Sequence, residues 1–141
     1  MSGPSLRKKD AHSSIHEAAL NEAIELRMLF QKCLEDGDKD KALQVIEVTI
    51  EHWESRTLKH AEAEEDGLYK DIIEANPDMV TTVIQLTRDH DLMRRIVDNL
   101  KNLLQTDEPN QRMISLLDSL VIIDQIHNDD EMNKLLVDGG K

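Results

Sequence analysis

The sequence predicts an all-α protein, an up-down-up-down four-helix bundle. Three observations carry that expectation. Apolar residues recur at spacings of three and four rather than alternating, which is the helical period. Glycine and proline are scarce inside these stretches. The strongest breakers fall at three places: Gly37 in Asp36-Gly37-Asp38, Pro77 after Asn76, and Pro109 after Asp107-Glu108. Four long helices joined by short turns pack most simply as antiparallel neighbours.

The first segment, about 14–36, carries Ile15, Ala19, Leu20, Ala23, Leu26, Phe30 and Leu34. Ser14 and Glu17 have capping-box spacing at its start. The second, about 39–75, carries Ala42, Ile46, Trp53, Leu68 and Ile72, with Gly67 interrupting it. Asn76 before Pro77 reads as an N-cap with proline at the first helical position. The third, about 77–105, then carries Val80, Val83, Ile84, Met93, Val97, Leu100 and Leu104. Asp107 or Glu108 before Pro109 is a looser cap for the fourth, about 109–137, with Met113, Leu117, Leu120, Ile123 and Leu135. Residues 1–12 read as a flexible polar leader, 13–137 as the bundle and 138–141 as a tail.

Composition narrows the partners. Seventeen basic and 29 acidic residues leave a net charge of −12, which disfavours phosphate surfaces: no nucleic acid and no membrane partner is expected. No run of about 18 apolar residues exists, and the N-terminal MSGPSLRKKD has no apolar stretch, so a cytoplasmic protein is expected. A single cysteine, Cys33, excludes an internal disulfide framework and a thiolate metal cluster. Against only three aromatic residues, Phe30, Trp53 and Tyr69, stand six histidines.

Polar residues fill gaps in the apolar stripes. His16 leads the first, His60 and Glu64 lie on the second, His90 on the third, and His127 and Glu131 on the fourth. The two His-x-x-x-Glu pairs place imidazole and carboxylate on one helix face. Counting from the turns, His16 is 21 residues before Gly37 and His60 is 23 after it; His90 is 17 before Asp107 and His127 is 20 after it. Mismatches of two or three residues amount to ~3–5 Å along a helix. All six groups therefore converge on one slab of the interior. A lone inward histidine is usually a satisfied core residue, but six such groups need compensation, and a pair of divalent or trivalent metal ions supplies it. Imidazole with carboxylate suits iron, manganese or zinc.

These carriers — His16 in His-Glu-Ala-Ala, the run His60-Ala-Glu-Ala-Glu64-Glu65, His90 in Arg-Asp-His-Asp-Leu and His127-Asn-Asp-Asp-Glu131 — resemble the hemerythrin-like (HHE cation-binding) family over about residues 12–136. The resemblance implies a hemerythrin-like bundle holding two iron ions in a non-haem di-iron centre. Carried over by position, the metal ligands are His16, His60, Glu64, His90, His127 and Glu131, with Glu64 and Glu131 as bridges. Two departures stand out. Arg94 occupies the position of a second third-helix histidine, and Glu131 at i+4 from His127 substitutes for an aspartate at i+5, where Met132 stands. The set is thus one histidine poorer than that of the oxygen carriers. His12 precedes the expected cap at Ser14 and is read as leader, the rival to His16. His52 is read as a boundary residue, Glu62 and Glu65 as solvated or able to orient a ligand histidine, and Arg94–Asp91 as a surface pair.

The function implied is binding of dioxygen, nitric oxide or peroxide for sensing, storage or detoxification, more a metal- and oxygen-binding protein than a dedicated enzyme. Its slot is expected to be kept dry by Leu68, Met93, Leu120 and Ile123. The alternatives are an enzyme reducing peroxide or nitric oxide or delivering iron for repair, drawing on an unidentified redox partner protein, and a metal-storage or metal-free interaction bundle.

Overall fold

A computed structural model describes residues 3–136, with side chains from Ala11 onward. The expected tail, 138–141, lies outside the described residues. Four helical arms form the molecule, and no strand occurs among the described residues. The first arm is α1, Gly3–Glu35. The second, 39–75, is one continuous helix in which α2 (Lys39–His52), α3 (Lys59–Ala63) and α4 (Tyr69–Ala75) are separated by π-helical turns at Trp53–Leu58 and Glu64–Leu68. The third is a short 3₁₀ turn, Pro77–Met79, running into α5, Val80–Thr106. The fourth is α6, Gln111–Asp130, extended by a π-helical turn at Glu131–Leu135.

The turns follow the breakers. Gly37 adopts a φ of 72°, the left-handed conformation that glycine tolerates best, and its N–H and that of Asp38 close the last turn of α1 on Leu34 and Cys33. The Asp38 side chain accepts from the Lys41 N–H to open α2. Asn76 caps the third arm as expected, with Pro77 at the first helical position. At the last turn Asn110 is the cap, accepting from the Arg112 N–H, so α6 starts after Pro109 rather than at it. A short amide side chain is among the best N-caps, and it wins over Asp107 or Glu108.

The first arm begins earlier than the spacing of Ser14 and Glu17 predicts. Leu6, Arg7, Lys8, Lys9 and Ala11 are good helix formers with no breaker among them, so α1 runs through Ser14 and no cap forms there. This puts His12 one helical turn before His16.

The first arm packs on the second and fourth, and the third packs on the second and fourth, the adjacency of an antiparallel bundle. Two apolar clusters fill it. The larger contains Phe30, Ile46, Trp53, Met93, Leu100, Met113, Leu117 and Leu120. The smaller contains Tyr69, Val83, Leu86 and Leu135, with Leu68 and Ile72 against it. Ile15, Val80 and Ile84, expected on the apolar stripes, point outward at 50%, 41% and 63% exposure. In α1 the buried line instead passes through His12, His16, Ala19, Ala23 and Phe30, and Ile15 lies about 100° around from His16. The inward histidines occupy the slab between the two clusters.

Candidate metal centre

Each arm delivers its polar residues to one point. From α1 come His12 and His16, both buried; from the second arm His60 and Glu64; from α5 His90; from the fourth arm His127 and Glu131. All six residues singled out from the sequence are brought together. The structure adds a seventh, His12, which the early start of α1 turns from a leader residue into part of the cluster. The histidine count is therefore five, not four.

Glu64 and Glu131 are the hubs. Glu64 Oε2 lies 2.5 Å from His12 Nε2, 3.7 Å from His16 Nε2 and 3.5 Å from His60 Nε2, while its Oε1 lies 3.3 Å from His90 Nε2. Glu131 Oε1 lies 2.9 Å from both His12 Nε2 and His16 Nε2, and its Oε2 lies 3.6 Å from His127 Nε2. Each carboxylate thus spans two groups of imidazoles. His12, His16 and His60 face one pair of oxygens, and His90 and His127 face the other. Metal-ligand spacing recurs in both halves, in His12-His16-His60-Glu64 and in Glu64-His90-His127.

The side chains behind the imidazoles set their tautomers. Carboxylates only accept, so the His90 Nδ1–H donates to Glu65 Oε2 at 2.6 Å and the His127 Nδ1–H donates to Asp89 Oδ2 at 3.0 Å. Glu65 is held by Arg94, 3.0 Å away, which also pairs with Asp91. Arg94 is therefore more than half of a surface pair: it anchors the carboxylate that orients His90. Their Nε2 lone pairs are left aimed inward, 3.1 Å apart. Such orientation by an outer carboxylate is what metal-ligating histidines require. Of the two roles the sequence allows Glu65, solvated or orienting, the geometry supports the orienting one. Asp89 was missed, since it sits directly before His90 in sequence yet serves His127 across the helix pair.

Two further buried groups complete the surroundings. The Tyr69 hydroxyl donates to Glu131 Oε2 at 2.5 Å, lies 3.4 Å from Glu64 Oε1, and its ring stacks on His90 at 5.7 Å and 4°. No sequence signal singled it out: five residues after Glu64, a 3.6-residue period puts it about 140° away. The π-helical turn at Glu64–Leu68 realigns it, and such turns recur at functional sites. Asp124, 1% exposed, has no partner for its Oδ1. His52 is satisfied elsewhere, by the Ala19 carbonyl at 2.8 Å, as suits a boundary residue.

Electrostatically the cluster is overdetermined. Burial alone would raise the Glu64 and Glu131 carboxyls, but the surrounding imidazoles hold both well below the usual carboxylate range. Burial opposes charge on His12 and His16, yet Glu131 and Glu64 push each up to about 9. His127, also opposed by burial, is pushed up to about 10 by Asp89 and Glu131. Burial raises the Asp124 carboxyl to about 6, and burial with the two nearby carboxylates raises the Tyr69 phenol.

Close as they are to charged neighbours, His16 Nε2, His60 Nε2 and Glu131 Oε1 are buried without a well-aligned hydrogen bond. Buried nitrogen and oxygen donors crowded together without hydrogen-bond alignment are costly, and a cation between them would satisfy them. An all-nitrogen-and-oxygen donor set of five imidazoles and two carboxylates fits a pair of first-row metal ions. Beside His16 lies a cleft of about 430 Å³, lined also by Ser13, Glu17, Gln125, Asn128, Asp129 and Met132 among others. That cleft is more polar than the expected dry slot. Met93 and Leu120 are fully buried and lie in the larger apolar cluster, while Leu68 and Ile123 are half-buried.

No helix among the described residues is long and apolar enough to cross a membrane. No curated protein and no solved structure gives a significant match. The family model for the Hemerythrin HHE cation binding domain matches residues 14–137. With helical bundle, His/Glu cluster and sequence in agreement, the chain belongs to the hemerythrin HHE cation-binding domain family and is a metal-binding member of it.

Proposed function

We propose that the cluster holds two iron ions and that the protein binds a small oxidant, dioxygen, nitric oxide or peroxide, at that pair. The observation that carries this reading is the division of donors: Glu64 and Glu131 each present one oxygen to His12 and His16, and the other to His90 in the case of Glu64 and to His127 in the case of Glu131. Two carboxylates spanning two groups of imidazoles are what a bridged pair of ions needs.

In this reading Glu64 and Glu131 would hold the two ions between them, and the five histidines would ligate through Nε2. Glu65 and Asp89 keep His90 and His127 in the ligating tautomer. A bound iron pair would supply reducible, Lewis-acidic chemistry toward a small oxidant. The protein contributes the rest. The two apolar clusters keep bulk water from both ends of the site, which strengthens every charge interaction inside it. The cleft beside His16 admits small molecules from solvent.

Metal identity and stoichiometry test the proposal directly. Protein expressed in iron-rich medium is expected to carry two irons per chain. Glu64→Ala is expected to lose metal and stability together, because metal affinity and folding are linked. Retention of two irons by Glu64→Ala would remove the bridging assignment. Dioxygen added to the reduced protein then distinguishes binding, seen as a stable reversible band, from turnover, seen as rapid decay with consumption of peroxide.

A further inference from the structure

The two halves of the cluster are unequal. His12, His16 and His60 surround one pair of carboxylate oxygens, but only His90 and His127 face the other. The group that fills the poorer half is a phenol. Tyr69 is 2% exposed, and its oxygen lies 2.5 Å from Glu131 Oε2 and 3.4 Å from Glu64 Oε1. These are the carboxylate oxygens that face His90 and His127. Donors held about 2.0–2.2 Å from one ion sit on the order of 3 Å from one another. The Tyr69 oxygen keeps that spacing, as do His90 Nε2 to His127 Nε2 at 3.1 Å and His90 Nε2 to Glu64 Oε1 at 3.3 Å.

Resting on the two-iron reading above, we infer that Tyr69 is itself a ligand, supplying a phenolate oxygen to the metal bound by His90 and His127. The phenol oxygen sits within reach of one oxygen of each hub carboxylate, at the point where the His90–His127 half lacks a third donor besides them. Stacking on His90 fixes the ring where its oxygen reaches both carboxylates. Ligation would form a phenolate–metal bond and release the phenol proton to solvent, with no electron transferred. The assignment brings the poorer half to two imidazoles, two carboxylate oxygens and one phenolate, matching the five donors of the other half.

Tyr69 is the single tyrosine of the chain, so any tyrosinate signal belongs to it. The test is ferric loading of the full chain, followed by iron analysis, visible absorption and resonance Raman. Two irons, a visible phenolate-to-iron charge-transfer band and enhanced tyrosine ring modes are expected. Tyr69→Phe should abolish band and modes and weaken the second iron by about tenfold or more, with helical content unchanged by circular dichroism. Should Tyr69→Phe fail to fold, the wild-type spectrum decides by itself. Two irons without tyrosinate modes would overturn the assignment while leaving the metal centre standing. No iron bound would overturn the two-iron reading, and this inference with it.

Discussion

His90 and His127 face each other from the third and fourth arms with their Nε2 atoms 3.1 Å apart, each braced from behind by a carboxylate. Two lone pairs at that distance repel unless a proton or a cation lies between them. Glu65 and Asp89 enforce this arrangement by accepting the Nδ1 hydrogens. Glu65→Gln and Asp89→Asn, which weaken that acceptor, should each lower metal affinity about 10–100-fold while leaving helical content unchanged. Chelator competition with circular dichroism checks both halves of the expectation.

His12 stands or falls with the early start of α1. If it ligates, His12→Ala should cost at least about tenfold in affinity at the position shared with His16 and His60, comparable to losing His16. A chain beginning after His12 should show the same loss. Metal titration of the three variants measures it, and unchanged binding would return His12 to the role of a leader residue.

The pH dependence of the metal-free protein follows from the ion pairs in the cluster. His12 and His16 are raised from 6.5 to about 9 and His127 to about 10, so their stabilising contribution is complete below about 6.5 and is lost as pH rises through 9 to 10. Glu64 and Glu131 are lowered from 4.5, so theirs is present above about 4.5 and lost on acidification. Thermal melts of metal-free protein should therefore peak between about pH 4.5 and 6.5 and fall steadily above it. Metal binding at neutral pH should release protons from these histidines, visible as calorimetric heats that vary with the ionisation enthalpy of the buffer.

Removing one hub from the metal-free cluster leaves protonated imidazoles without their counter-charge. Glu131→Ala should cost about 3–5 kcal/mol, the usual loss when one partner of a buried ion pair is deleted. Denaturant titration of metal-free protein measures it. By comparison, Phe30→Ala, far from the cluster in the larger apolar core, should cost a similar ~3–5 kcal/mol but leave metal affinity of the folded protein unchanged.

Much of this molecule was legible from residue order. The three- and four-residue recurrence of apolar positions, with Gly37 and Asn76-Pro77 at the breaks, determined four helices because burial of a helical stripe and turn chemistry are both local. His16, His60, Glu64, His90, His127 and Glu131 were found because they interrupt those stripes at compatible distances from the turns. Asn110, not Asp107 or Glu108, became the cap of α6, a choice within the reach of local chemistry but weighted wrongly by the position of Pro109.

What remained depended on neighbours distant in sequence. His12 counts as a site residue only because α1 starts early enough to turn it toward Glu64, 52 residues away. Tyr69 reaches Glu131 because a π-helical turn rotates it off the 3.6-residue period that sequence reading assumes. Asp89 serves His127 rather than its neighbour His90, since adjacent residues on a helix point about 100° apart and hydrogen bonds form across the interface. Sequence by itself determined the bundle and six inward polar positions, through periodicity. Tertiary structure decided which oxygen faces which nitrogen, because that depends on the rotation and depth of each arm within a few ångströms.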